Sequence, residues 1–249
     1  MEDPTRLGNN RTGIQRSPLH DELLLGEAGQ QRPVEQLTVK NQPENLLMAE
    51  LRREYVNEAE ALGSMPPPST WRGAIESGAN ALLGRRMQVL IDKIAERMAY
   101  ERGGTRLYDA ALVKVIALAE GTPVSVERVK QIRDQEIEHA ALLQDALTTL
   151  GADPTAQTPC ADLVGIQSAG LMQAVTDPRT SLVQTLSSLL AAELIDVASW
   201  EMLSRMARSL GQDDIADRFD HALVQETQHL ESVSRWYETL LMEEARPLS

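Results

Sequence analysis

From about residue 85 to residue 242, apolar residues recur in alternating steps of three and four, the spacing of a helix that buries one face. The pattern divides into four long helices at about 85–120, 125–150, 177–211 and 213–242. Gly121 and Pro123 stop the first, the second begins near Ser125 and ends before Gly151, and Gly211 closes the third. Asp177 is the expected N-cap of the third helix, with Pro178 at its first position, and Asp213 or Asp214 opens the fourth. The connection at 151–176 is long and holds one short apolar helix (ADLVGIQSAGLMQAV). Short loops make the two helices of each pair antiparallel neighbours, whereas the long connection can cross the full length of a bundle. The expected fold is therefore all-α, an antiparallel four-helix bundle with one long crossover between helices two and three.

The amino-terminal part reads differently. Residues 1–45 are polar, with scattered Pro, Gly, Asn and Gln and no sustained period, the composition of a poorly ordered segment. A short amphipathic helix is expected at 45–62, the run Met65-Pro66-Pro67-Pro68-Ser69 breaks it, and 71–83 resembles a helical lead-in. The expected organisation is an extension over 1–80, largely disordered with one short helix, and a helical domain over 81–249. Composition agrees with helices: 42% of residues are apolar but only 3% are aromatic, which suits Leu- and Ala-rich packing better than a sandwich core.

The four seams are not purely apolar. They read Ile94, Met98, Glu101, Thr105, Tyr108, Leu112 on the first helix and Val129, Ile132, Glu136, His139, Leu143 on the second. The third reads Leu186, Leu189, Glu193, Asp196, Trp200, Leu203, and the fourth Phe219, Ala222, Glu226, His229, Val233, Trp236. Each places a carboxylate in mid-seam, and two add a histidine three residues on, with apolar positions resuming on both sides. The halves also repeat: Glu101 and Glu136 are 35 positions apart, Glu193 and Glu226 33. An unpaired charge in a packed interior costs several kcal/mol, so inward acids at matching depth on four helices imply a bound cation. Residues i and i+3 share a helix face, so Glu136 with His139, and Glu226 with His229, can serve one ion while the glutamate reaches a second. Four glutamates would balance two divalent cations, and carboxylate with imidazole suits iron or manganese.

A net charge of −13 argues against a nucleic-acid partner or an anionic membrane and is compatible with cation binding. The single Cys160 excludes an internal disulfide or a Cys-x-x-Cys unit and is expected to be an inert buried thiol. No apolar run is read as a membrane span and no secretion signal is read at the amino terminus, so a cytoplasmic location is expected. Trp200 and Trp236 are expected to be core fillers, and Glu138, His221 and His20 to face away from the ligand seam.

One Glu from each of two helices plus a Glu-x-x-His from each of the others is the ligand pattern of the ferritin-like dimetal carboxylate proteins, which the chain resembles over roughly 85–242. AYERGGTRLYDAAL around Glu101 and DQEIEHAALL around Glu136 look like the first two helix signatures of rubrerythrin-like and bacterial ferritin-like domains, and ELIDVASWEML and QETQHLESV complete the set. TAQTPCADL in the crossover resembles part of a bacterial ferritin-like family. The resemblance implies two iron ions held by Glu101, Glu136, His139, Glu193, Glu226 and His229, reacting with O2 or H2O2 in ferroxidase, oxidase or peroxidase fashion. Glu136 and Glu226 would bridge, Tyr108 is a candidate catalytic donor of an electron or proton, and Asp196 is an extra ligand or an acceptor orienting a histidine. The alternatives are two manganese ions in a catalase-like protein, or a non-catalytic metal-binding module. The extension would dock a partner, and the chain would form a homodimer or larger homo-oligomer.

Overall fold

The computed structural model describes residues 49–59 and 87–246. Among them are six helices and no strand: α1 at 49–58, α2 at Met87–Leu118, α3 at Val126–Thr149, α4 at Pro159–Thr176, α5 at Leu182–Ser209 and α6 at Asp213–Glu244. The fold is all-helical. The two helices beyond the four long ones are α1, from the segment expected at 45–62, and α4, from the crossover. α1 is exposed along its whole length and falls in a compact unit of its own. The expectations for 1–45 and 71–83 lie outside the described residues.

Local chemistry accounts for most helix ends. Ser125 caps α3 by accepting from the Arg128 backbone N–H, and Thr158 caps α4 with Pro159 in the first turn. Gly121, Gly151 and Gly211, with φ of 76°, 75° and 76°, supply the left-handed residue that turns the chain after α2, α3 and α5. The start of α5 differs from expectation. Asp177 ends α4, Pro178 lies in the connection, and Ser181 begins α5 through a reciprocal capping box with Gln184. The physical reason is competition: the Asp177 carboxylate is taken by the Arg179 backbone and guanidinium, while Lys114 donates to the carbonyls of Asp177 and Thr180, so the connection is held four residues longer.

α2 packs most extensively on α3 and α5 on α6, the two hairpins expected from the short loops. α4 lies along α2 and also touches α5, whereas α3 and α6 meet over the smallest contact. Two apolar clusters fill the interior. One holds Leu90, Ile94, Met98, Leu143, Trp200 and Phe219, and the other Tyr108, Val115, Ile132, Leu189, Val233 and Trp236. Contrary to the sequence reading, α5 is long and apolar enough to cross a membrane by length and composition, with a mean hydropathy of 1.3 over an 18-residue window. Its buried face carries Glu193 and Asp196, which is the pattern of a core helix.

Candidate metal centre

Between the two apolar clusters lies a polar layer to which all four long helices contribute. α2 supplies Glu101, α3 Glu136 and His139, α5 Glu193 and Asp196, and α6 Glu226 and His229, every one of them at most 2% exposed. Three groups of these side chains bring ligating atoms within 4.8 Å of one another: Glu101, Glu136, His139 and Glu226; Glu136, Glu193 and His229; Glu193, Asp196 and Glu226. These clusters can hold a metal ion. The first two share Glu136, and each has one histidine and one lone glutamate from a single hairpin.

The histidines point the same way. His139 Nδ1 stands 2.7 Å from Glu226 Oε1 and 3.7 Å from Glu101 Oε2. His229 Nδ1 stands 3.1 Å from Glu226 Oε2, 3.6 Å from Glu136 Oε1 and 3.8 Å from Glu193 Oε2. Their outer nitrogens are held reciprocally: His139 Nε2 meets Gln225 Oε1 at 2.9 Å, and His229 Nε2 meets Gln135 Oε1 at 2.9 Å. A glutamine oxygen only accepts, so each Nε2 carries a hydrogen and each Nδ1 is directed at the carboxylates. The glutamines were not anticipated. Their signal was present, because a Gln immediately precedes the acid in both Glu-x-x-His stretches.

Asp196 was expected to be a ligand or to orient a histidine. Among the described residues no histidine is bonded to it; its nearest partner there is the Arg97 guanidinium, at 2.6 Å from Oδ1. Arg97 also lies 3.0 Å from Glu101 Oε1 and over the Tyr100 ring, and at 3% exposure it is a buried cation inside the cluster. Trp200, expected as a core filler, donates its indole N–H to Glu101 Oε1 at 2.9 Å and meets the His139 ring edge-on. Tyr108 is fully buried and donates its hydroxyl to Glu193 Oε1. Trp236 lies in the apolar core. Glu138 and His221 are exposed, Cys160 is half-buried rather than buried, and His20 lies outside the described residues. Burial pushes the Cys160 thiol up to about 11, so it is not a thiolate at neutral pH.

The electrostatics are those of too many acids in too little solvent. Burial raises Glu136 well above the usual carboxylate range, and the facing Glu101 and Glu226 raise it further. Burial likewise raises Glu193, with Glu226 adding to it and the Tyr108 hydrogen bond opposing it. Asp196 is raised by burial despite Arg97. Burial disfavours charge on His139 and Glu226 too, but their partners outweigh it: Glu101 and Glu226 raise His139 to about 11, and His139 and His229 lower Glu226 to about 2. Glu136, Glu193 and His139 are thus all shifted toward their protonated forms, and each would have to release its proton to bind metal.

The donor atoms themselves test whether a metal fits. Glu101 Oε2, both oxygens of Glu136 and Glu193 Oε2 are all buried with no hydrogen-bond partner among the described residues, while His139 Nδ1 and Glu226 Oε1 meet only each other. Buried polar atoms are nearly always bonded, so a converging set of unbonded carboxylate oxygens is one that a metal ion would fit. No protein-family model matches the chain, and no curated protein matches it either.

Proposed function

We propose that the chain is a ferritin-like dimetal carboxylate protein, its four long helices forming the antiparallel bundle, that binds two iron ions and reacts with O2 or H2O2. The observation that carries this reading is the convergence of buried donor atoms from four helices, with Glu101 Oε2, both Glu136 oxygens and Glu193 Oε2 free of hydrogen bonds among the described residues and both His139 and His229 turned toward the carboxylates. One ion would be held by Glu101 and His139 and the other by Glu193 and His229, with Glu136 and Glu226 shared between them. The charge supports a divalent pair. Five buried carboxylates facing one guanidinium leave four negative charges, which two divalent cations neutralise.

The bound irons would supply the electrons for reduction of the oxidant, and the remaining roles belong to the chain. Gln135 and Gln225 fix the imidazole tautomers. Arg97 and Trp200 hold Glu101 from its outer side. Tyr108 keeps a proton on its oxygen against Glu193, available at that atom to a nearby basic group. The apolar clusters on either side exclude water and strengthen every charge interaction in the layer.

Anaerobic loading with Fe(II) followed by oxygen tests the reading. Uptake of about two irons per chain, a near-ultraviolet ferric band on oxidation and loss of both in Glu136→Ala are the expected results. No uptake of iron or manganese by the full chain, with unchanged thermal stability, would overturn it. Metal analysis of the purified protein decides between the two elements.

A further inference from the structure

The two halves of the centre match ligand for ligand but differ in charge. Aligning α2 on α5 at Glu101 and Glu193 pairs Tyr108 with Trp200, and aligning α3 on α6 at Glu136 and Glu226 pairs Gln135 with Gln225 and His139 with His229. The paired residues play the same part. Tyr108 donates to Glu193 and Trp200 to Glu101, each across to the glutamate of the other helix, and each glutamine accepts from the imidazole of the other half. Two positions of the same alignment break the match: Arg97 pairs with Leu189, and Gly104 with Asp196.

The consequence of the mismatch is electrostatic. Leu189 is fully buried in an apolar cluster, and Gly104 has no side chain, the place of a Cβ there being filled by the Glu136 carboxylate. Arg97 and Asp196 are both buried and pair with each other, so they act as a fixed dipole rather than as two free charges. Its positive end lies on Glu101, 3.0 Å away. Its negative end belongs to the other half, where Asp196 joins Glu193 and Glu226 in one cluster of ligating atoms; among the described residues it joins no such cluster with Glu101. A dipole laid this way opposes a cation beside Glu101 and favours one beside Glu193. In a layer closed off from water, little of that difference is screened.

We propose that the two metal positions are unequal and fill in a fixed order: the Glu193–His229 position takes the first divalent cation and holds it, and the Glu101–His139 position takes the second more weakly. The ranking rests on the dimetal reading above, and it makes the Glu101–His139 position the one whose ion exchanges. Arg97 and Asp196 set it through the charge they place beside Glu101 and Glu193, a preference of about ten-fold at the effective dielectric of a protein interior.

Zinc, a redox-inert divalent cation, is the probe. Zn(II) is titrated at fixed pH into metal-free full-length protein, and the ring N–H signals of His139 and His229 are followed by NMR, each assigned by its loss in His139→Ala or His229→Ala. The first equivalent converts the His229 signal and leaves that of His139 in place, and the second converts His139. His139→Ala keeps the affinity of the first step, whereas His229→Ala weakens it about ten-fold. Arg97→Met with Asp196→Leu gives both positions uncharged surroundings, and there the two signals convert together; a merely structural role for the pair would leave their order intact. Parallel conversion in the unaltered protein, conversion of His139 first, or an order kept in the folded double variant would each overturn the ranking and leave the dimetal reading standing. Should the double variant not fold, the histidine variants decide alone, and equal loss of the first step in both overturns the ranking. A full chain that takes up no second ion, whether zinc or manganese, overturns the dimetal reading and the ranking with it.

Discussion

Replacing Arg97 with methionine removes the one fixed positive charge of the polar layer while keeping much of its volume. The guanidinium lies 2.6 Å from Asp196 and 3.0 Å from Glu101, and the side chain is 3% exposed, so water does little to screen either interaction. At an effective dielectric near 20, such a contact is worth several kcal/mol, and breaking one partner of a buried pair costs about 3–5 kcal/mol. For a chain of this size that lowers the melting temperature of the metal-free protein by roughly 6–20 °C. Asp196 can partly escape by taking a proton, since burial already raises it. Its folded-state value is then further above that of the unfolded chain, so the deficit grows as pH rises through it and is smaller at pH 5 than at pH 8. The second variant is Arg97→Met with Asp196→Leu, which removes both ends of the pair and recovers at least about 2 kcal/mol relative to the sum of the single changes. Urea unfolding of the metal-free set at the two pH values reads all of this. A single-variant loss under about 1 kcal/mol, or strict additivity in the cycle, would refute the claim that Arg97 balances the layer.

Metal uptake in dilute buffer releases protons, because Glu136 and Glu193 are raised and His139 is held at about 11, and all three must be free of protons to ligate. Apparent affinity therefore climbs about ten-fold per pH unit for each proton displaced; an indicator dye that records no release during loading contradicts this. Without metal, the raised Glu136 and Glu193 contribute stability that is full below the unfolded carboxylate value and is lost as pH rises through their folded values, so urea midpoints of the metal-free protein fall between pH 5 and 8. Gln135→Leu frees the His229 tautomer and Gln225→Leu that of His139, and each weakens metal binding by about 10–100-fold in chelator competition. Affinity unchanged by both would remove the glutamines from the site. Gly103→Ala stabilises the metal-free fold by about 0.5–1 kcal/mol, whereas Gly104→Ala displaces the Glu136 carboxylate and lowers metal affinity; equal behaviour of the two substitutions would argue that Gly104 has no special role.

The six acids and imidazoles were legible because burial has a period. Glu101, Glu193 and the two Glu-x-x-His pairs interrupt apolar seams whose neighbours on both sides had to face inward, and the structure brings all six into one layer. Arg97 was one turn from Glu101 and in plain view, yet a basic residue beside a seam usually leads its charge out to solvent, and nothing local says that this one turns inward toward Asp196 on a helix almost a hundred residues later. Trp200 had the same ambiguity, since a buried indole reads identically as filler or as donor until its partner across the interior is known. The start of α5 was misplaced because Asp177-Pro178 and Ser181 with Gln184 are both sound helix openings. Lys114, far away in sequence, favours the second.

α3 and α6 have the smallest shared surface of the packed pairs, yet each reaches across to steady the imidazole of the other. Such an arrangement works as a gauge of alignment. If one of the two helices slid by a single residue, a rise of about 1.5 Å, both glutamine anchors would fail together and both Nδ1 atoms would lose their aim. Two weakly packed rods are therefore held in step by the same pair of bonds that prepares their histidines, so any motion that parts them also disarms the centre.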